Sequence, residues 1–325
     1  MGTVTVRAYG EGGRTREGAS LEEVSDLLEL RGATVWVDLD NPSPTDMEVL
    51  AAELGLHHLA VEDALERHQR DKYVHYDDHL FLVCHAVELD VELAELRTDE
   101  VDVFIGDRWF VTVHKGQRDL LDRASARWTR GHELVKHGVG FLVYGLLDVV
   151  LDGYSDTIER FEQYYDAKAD RVFGDEPLEP DEQRQWFQMR RALNTFRRTV
   201  SPLTEALESM ADRDVERFAQ NIAPYLRDIA SEIKRVGAEV DALRDLVGQI
   251  VEVNITLRDY RQNVIMKKVT SWAAIIAVPT LVTGYYGMNV PYPGSGETWG
   301  VITATAVSVG ASGALYAMFR RKNWL

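Results

Sequence analysis

The sequence is poor in cysteine. Cys84 is the single one among 325 residues, which excludes an internal disulfide and fits a reducing compartment. It also lacks a basic excess: 36 Lys and Arg stand against 53 Asp and Glu, a formal net charge of −17. Seven Lys/Arg and two Asp/Glu lie from Arg258 onward, which leaves the region before it at −22. So acidic a region disfavours nucleic acid and anionic lipid as its partners and suits a protein that meets cations; simple solubility explains part of it. The glycine-rich stretch Gly10-Glu11-Gly12-Gly13-Arg14-Thr15 lacks the Gly-Lys-Ser/Thr of a phosphate loop. It reads as a plain loop, and no nucleotide site is expected. The first residues show no basic start followed by an apolar run, so no signal peptide is expected.

Charge itself is missing from residues 269–296, and the first acid after them is Glu297. A window of about 20 uncharged, mostly apolar residues reads as a transmembrane helix. A second uncharged run, 299–319, follows at once and ends in Arg320-Arg321-Lys322. The chain is expected to cross a bilayer twice through a tight hairpin. Lys267 and Lys268 flank the first span, and the loop between the spans carries only Glu297. Basic flanks stay cytoplasmic. Both termini are therefore expected inside and residues 287–298 outside, in a multi-pass protein of the cell (inner) membrane.

Before the spans the pattern divides. Alternating or Val/Phe/Tyr-rich segments at 4–9, 34–38, 73–76, 80–89, 100–105 and 109–114 read as strands, the first at a sheet edge, with Gly106-Asp107 as a hairpin turn. Segments 21–30, 46–54 and 56–70 have helical apolar spacing. Residues 1–130 thus read as an α/β domain. An antiparallel pair of long helices follows over 131–222: one at 141–173, ended by Gly174 and the Pro177/Pro180 turn, and one at 181–210, broken near Ser201-Pro202. Nothing from Tyr225 to Val278 breaks a helix except Gly237 and Gly248. Residues 223–286 then form one stalk helix on the order of 90 Å long that becomes the first span. Residues 287–298 are the external loop, 299–319 the second span and 320–325 a basic tail.

The stalk carries two lines at steps of four and three. Ile229, Ile233, Val236, Val240, Leu243, Val247 and Ile250 make a heptad seam. Nearer the membrane run Glu252, Thr256, Asp259, Asn263, Met266, Thr270, Ala273, Ala277, Thr280 and Gly284, polar at one end and small or hydroxylated within the span. Taken alone, this second line is as well explained by a solvated face that passes into a small-residue packing face.

The ending Tyr286-Gly287-Met288-Asn289, placed at the end of the first of two C-terminal spans, resembles the CorA-type magnesium transporter family. Similar segments are Glu62-Asp63 with His68-Gln69-Arg70-Asp71-Lys72, residues 80–87, residues 193–197 with Pro202-Leu203, residues 224–228 and residues 322–325. The resemblance implies a homopentameric funnel: an α+β (α/β/α) cytoplasmic domain, a long stalk helix that lines the pore, and a peripheral second span. It implies passive influx of Mg²⁺, with Co²⁺ or Ni²⁺ as further cargo, and no enzymatic activity. Two charges entering at ~100 mV gain about 4.6 kcal/mol, so no nucleotide is needed. In five copies, Glu252 and Asp259 become carboxylate rings that attract cations. Asn263 and Thr280 become oxygen rings, Met266 with Val269 a constriction, and Ala273, Ala277 and Gly284 leave width for a hydrated ion. The selectivity filter carries over to Gly287, Met288 and Asn289, whose neutral amide binds a hydration shell without stripping it from an ion that dehydrates reluctantly. Plain helix capping by Asn289 is the alternative. Regulatory Mg²⁺ between neighbouring cytoplasmic domains carries over to Asp90 and Asp228, with Glu88 beside Asp90 and Asp152 as a weaker partner. Facing carboxylates there repel unless a cation sits between them.

Two departures from the family pattern bear on the ion. The outer loop Val290-Pro291-Tyr292-Pro293-Gly294-Ser295-Gly296-Glu297 lacks an acidic Pro-Glu-type motif, and Asp71 stands where a proline is expected. A zinc-transporting relative is the nearest rival, with His68, His75, His79 and His85 as conceivable ligands at no standard spacing. A membrane-tethered coiled-coil scaffold is the rival from another class; it explains the seam but not the second line or the Gly-Met-Asn ending.

Overall fold

The protein is described here from a computed structural model covering residues 2–10, 13–66, 69–116, 118–130, 138–173, 179–213, 223–289 and 291–325. It divides into two compact units, Met1–Gly248 and Gln249–Leu325.

The first unit is built on a seven-stranded sheet: β1 (Thr3–Gly10), β2 (Gly13–Glu17), β3 (Thr34–Asp40), β4 (Lys72–His75), β5 (Leu80–Asp90), β6 (Glu95–Ile105) and β7 (Trp109–His114), in the order β2-β1-β3-β7-β6-β5-β4. Among the described strands the central pair β3–β7 is parallel and the other pairings are antiparallel. Every residue of β7 is buried, as a strand covered on both faces requires. One face is covered by a 3-10 turn (Leu21–Glu23), α1 (Val24–Glu29), α2 (Pro44–Leu54) and α3 (His58–Leu65), around Val35, Val37, Leu50, Phe81 and Phe104. α2 shows why its bounds are sharp. Ser43 and Asp46 form a reciprocal capping box, Pro44 occupies the first turn, and Gly55 closes the helix at φ 69°.

The other face is covered by α4 (Arg118–Arg130), α5 (Val139–Phe173), α6 (Pro180–Arg213) and the first part of α7 (Ala223–Tyr286). All seven residues of the heptad seam are buried. Those from Ile229 to Val247 share a core with Val200, Leu203, Ala206, Leu207 and Met210 of α6, so the seam is satisfied inside one chain. Arg197–Asp241 (2.5 Å) and Lys234–Glu208 (2.8 Å) flank it.

Three expectations need correction. The glycine-rich stretch is no plain loop: Gly13–Glu17 pairs with β1 as the edge strand, helped by Arg7–Glu17 at 2.9 Å, so β1 is not an edge. The helix expected over 56–70 is only His58–Leu65, because Gln69 turns its N–H to Glu100 Oε2 at 2.9 Å. α6 does not break at Pro202; it runs through, with Val200 and Leu203 on either side held in the core. The expected stop at Gly174 and Pro177 lies outside the described residues.

The second unit holds α7 from residue 249 to its end and α8 (Thr298–Arg321). Among the described residues two helices are long and apolar enough to cross a membrane, α7 and α8.

Candidate ion-pathway face

The helical spacing of buried positions on α7 identifies its contact with α8. Ser271 is fully buried, and Ala274, Ile275, Val278, Pro279, Val282 and Tyr286 are half-buried. Within this contact Pro279 has a specific cost. It has no N–H, so the carbonyl of Ile275, four residues back, loses its intrahelical donor. The hydroxyl of Ser312 on α8 donates to that carbonyl at 3.4 Å. In hydrocarbon an orphaned backbone oxygen must find a partner in the protein. A proline in one span with a hydroxyl residue in the other was a readable sign of this bond, but their register was not.

Glu252, Thr256, Asp259, Asn263, Met266, Val269, Thr270, Ala273, Ala277, Thr280 and Gly284 are all exposed on the single chain. With 3.6 residues per turn, Ala273, Ala277, Thr280 and Gly284 lie about 180° around α7 from Ser271, Ile275, Val278 and Val282. The line is therefore not the surface used by the second span. A Cβ added at Gly284 would meet nothing within 4 Å. Thr256 Oγ1 donates to Glu252 O at 3.0 Å and Thr280 Oγ1 to Ile276 O at 2.9 Å. Each hydroxyl proton is thus committed to the helix, and the oxygen presents lone pairs outward.

α7 ends at Tyr286. Gly287 N–H donates to Thr283 O at 2.9 Å, and Met288 N–H to Tyr285 O at 3.3 Å. A Cβ at Gly287 would come within 2.9 Å of the Thr283 carbonyl oxygen, so glycine is required here by the chain's own last turn. Gly287, Met288 and Asn289 are exposed. Asn289 is not among the described residues with positive φ, so it does not close the helix in the left-handed conformation of an Asn cap. Tyr286 and Tyr292 meet edge to face at 5.0 Å, and Gly294 backs onto Gly300, tying the loop to the start of α8.

The four carboxylates assigned to regulation are spread over the first unit. Asp90 Oδ1 accepts from Leu93 N–H at 2.9 Å in the β5–β6 turn. Glu88 is exposed opposite Arg97. Asp228 is exposed, near enough to Tyr144 for its charge to raise that phenol, after the larger effect of burial. Asp152 is already paired, with Arg127 and with Arg123 at 3.9 Å. Among the described residues no three His, Cys, Asp or Glu are gathered so as to hold a metal.

Two of the four histidines, His79 and His85, have other occupations. His79 is buried between Tyr76, Phe104 and Trp109, and His75 is exposed; His68 lies outside the described residues. His85 Nδ1 pairs with Asp71 Oδ1, while its Nε2 lies 3.5 Å from Glu100 Oε2. Burial works to lower the His85 pKa, but the two carboxylates outweigh it and raise it to about 9. Burial pushes the Asp71 carboxyl up against the pull of His85. Asp102, close by on β6, is raised to about 8 by burial and then by Glu100, against Lys115, His85 and Lys72. Asp71 thus has a definite partner, the half-buried His85 on the next strand.

Residues 31–321 match the family model described as CorA-like Mg²⁺ transporter protein. The chain is 28% identical over 310 residues to the cobalt/magnesium transport protein CorA of Thermotoga maritima, covering 93% of this chain and 87% of that one. Its fold superposes on the complete structure of the CorA magnesium transporter of Methanocaldococcus jannaschii with a TM-score of 0.81 at 17% identity, over 99% of both chains. The ZntB cytoplasmic domain of Vibrio parahaemolyticus is similar over 70% of this chain and 88% of its own, with a TM-score of 0.54 and 14% identity.

Proposed function

Since this chain belongs to the CorA-like Mg²⁺ transporter family, we propose that it forms a homopentameric channel that admits Mg²⁺ passively down the membrane potential. Both termini would be cytoplasmic and residues 287–298 external. The observation that carries the reading is the exposed line from Glu252 to Gly284. Its part within the span, from Ala273 to Gly284, lies on the side of α7 away from α8, and the line runs on to Gly287-Met288-Asn289. Five such lines around an axis make rings: carboxylates at the entrance to the cytosol, then Asn263, the Met266/Val269 constriction, small residues, Thr280, and the Asn289 amides at the outer mouth. Lone pairs of Thr280 and Asn289 suit water bound to a dication that keeps its shell. Co²⁺ is proposed as further cargo, in line with the name of the Thermotoga maritima cobalt/magnesium transport protein, and Ni²⁺ with it.

Gating follows from the carboxylates. Asp90, with Glu88 beside it, would face Asp228 of a neighbouring copy, and Mg²⁺ between them would hold the subunits together. Loss of the ion would leave like charges facing one another and let the stalks move. Asp152 is a lesser participant, since its arginines would have to release it.

The test is flux of the purified protein in liposomes with an inside-negative potential and a Mg²⁺-sensitive dye inside. Mg²⁺ entry, abolished in Asn289→Ala with pentamer mass retained in detergent, is the expected result. A dimeric mass, or entry untouched by the Asn289 change, overturns the proposal. Zn²⁺ entering in preference to Mg²⁺ would favour a zinc transporter on the same scaffold.

A further inference from the structure

The two spans have a fixed register. Ser312 Oγ reaches Ile275 O, and the rings of Trp272 and Tyr316 lie 6.5 Å apart. Both contacts obey one antiparallel alignment. Continued by one turn, it brings Lys268 level with Arg320 and Lys267 level with Arg321, with Lys322 next. All five side chains are exposed. None of the five pairs with an acid among the described residues, in a chain with 53 of them. Arg320 and Arg321 suit the C-terminal end of α8, but Lys267 and Lys268 lie mid-helix, where the macrodipole gives them no role. Directly beside them stand Trp272 and Tyr316, and Trp324 stacks on Phe319 at 5.6 Å. Aromatics of this kind sit at headgroup level. The collar is therefore a belt of unpaired cations at the depth of lipid phosphates.

We propose that this collar binds anionic phospholipid headgroups of the inner leaflet. Clusters of four to eight Lys/Arg immediately beside a span attract such lipids, each basic side chain contributing about 1 kcal/mol, or roughly five-fold in affinity. An anionic surface would repel the acidic remainder of the chain, and a basic collar offsets that repulsion. The inference rests on the two-span reading, not on conduction. A protein that carries no Mg²⁺ can still show the lipid preference, and the two failures are told apart.

The full-length Trp299→Phe protein leaves Trp272 and Trp324 as the tryptophans of the second unit. It is reconstituted in phosphatidylcholine vesicles holding graded fractions of phosphatidylglycerol, with bromine on the chains of one lipid or the other. Stronger quenching by the brominated anionic lipid, a preference of about five-fold or more at low salt, is expected. It should weaken at high salt and fall to about unity when all five cations become Gln. Should that variant invert or misfold, Lys267→Gln/Lys268→Gln must lower the preference, and Lys267→Arg/Lys268→Arg must keep it. Equal quenching by both lipids in the parent, a preference unmoved by the neutral variants, or its removal by millimolar inorganic phosphate overturns the proposal.

Discussion

Replacing Asp102 by Asn should flatten the fall of stability with pH. Asp102 lies on β6 with Oδ1 lacking a hydrogen-bond partner, and its folded pKa of about 8 stands above the ordinary 3.8. Between those pH values the folded chain holds a proton that the unfolded chain has lost, so stability drops as pH rises across the window. His85 acts in the same direction. Its pKa is about 9 against an ordinary 6.5, so its contribution is complete below pH 6.5 and is lost as pH climbs through 9. At 1.36 kcal/mol per unit, the step from pH 7 to pH 9 removes about 1 kcal/mol through Asp102 and about 2 kcal/mol through His85. For a unit of this size, 1 kcal/mol corresponds to about 2–4 °C in melting temperature. The assay is thermal denaturation of the purified protein in detergent, followed by near-ultraviolet circular dichroism at pH 7, 8 and 9. A side-chain amide at this position cannot ionise, so Asp102→Asn should lose about 2–4 °C less than the parent over this range. Parallel curves would refute the reasoning, whatever the absolute offset, because the absolute offset also contains the hydrogen bonds of the new amide.

Three further outcomes are expected. Asp228→Ala should weaken inhibition by internal Mg²⁺ in the liposome assay, shifting the inhibitory concentration upward several-fold, about 1 kcal/mol or more for one charged contact; an unmoved inhibition curve counts against the gating proposal. Ser312→Ala should destabilise the helical hairpin by about 0.5–1.5 kcal/mol. The loss should largely vanish in a Pro279→Ala background, where residue 279 regains its N–H; a double-mutant cycle in detergent reads this coupling, and additive effects would refute it. Gly287→Ala should distort the last turn of α7, because its Cβ meets Thr283 O at 2.9 Å. Flux should fall while expression and oligomer mass hold, and full flux would refute the constraint.

The strands were legible because Val, Phe and Tyr alternate or cluster where the sheet is covered, and the long helices because their apolar spacing continues from turn to turn. The line from Glu252 to Gly284 could be read from steps of four and three. That its part within the span lies opposite α8 could not, since the periodicity of one helix does not say which of its faces a neighbour takes. Gly13–Glu17 was missed because a glycine followed by Arg, Thr, Arg and Glu has no strand-like apolar face; only its pairing with β1 makes it a strand. Pro202 suggested a break from local rules, and burial of its neighbours overrode them. Asp71 and His85 are 14 residues apart, and their pairing follows from the β4–β5 register, which no motif announces.

Thr256 and Thr280 turn their hydroxyl protons back into their own helix. An anion arriving at either would meet only negative density, while a cation or its water would be accepted. In the proposed ring of five, these positions can sort ions by sign without carrying any charge themselves. Such sorting would vary little with acidity or ionic strength, unlike a fence made of carboxylates alone.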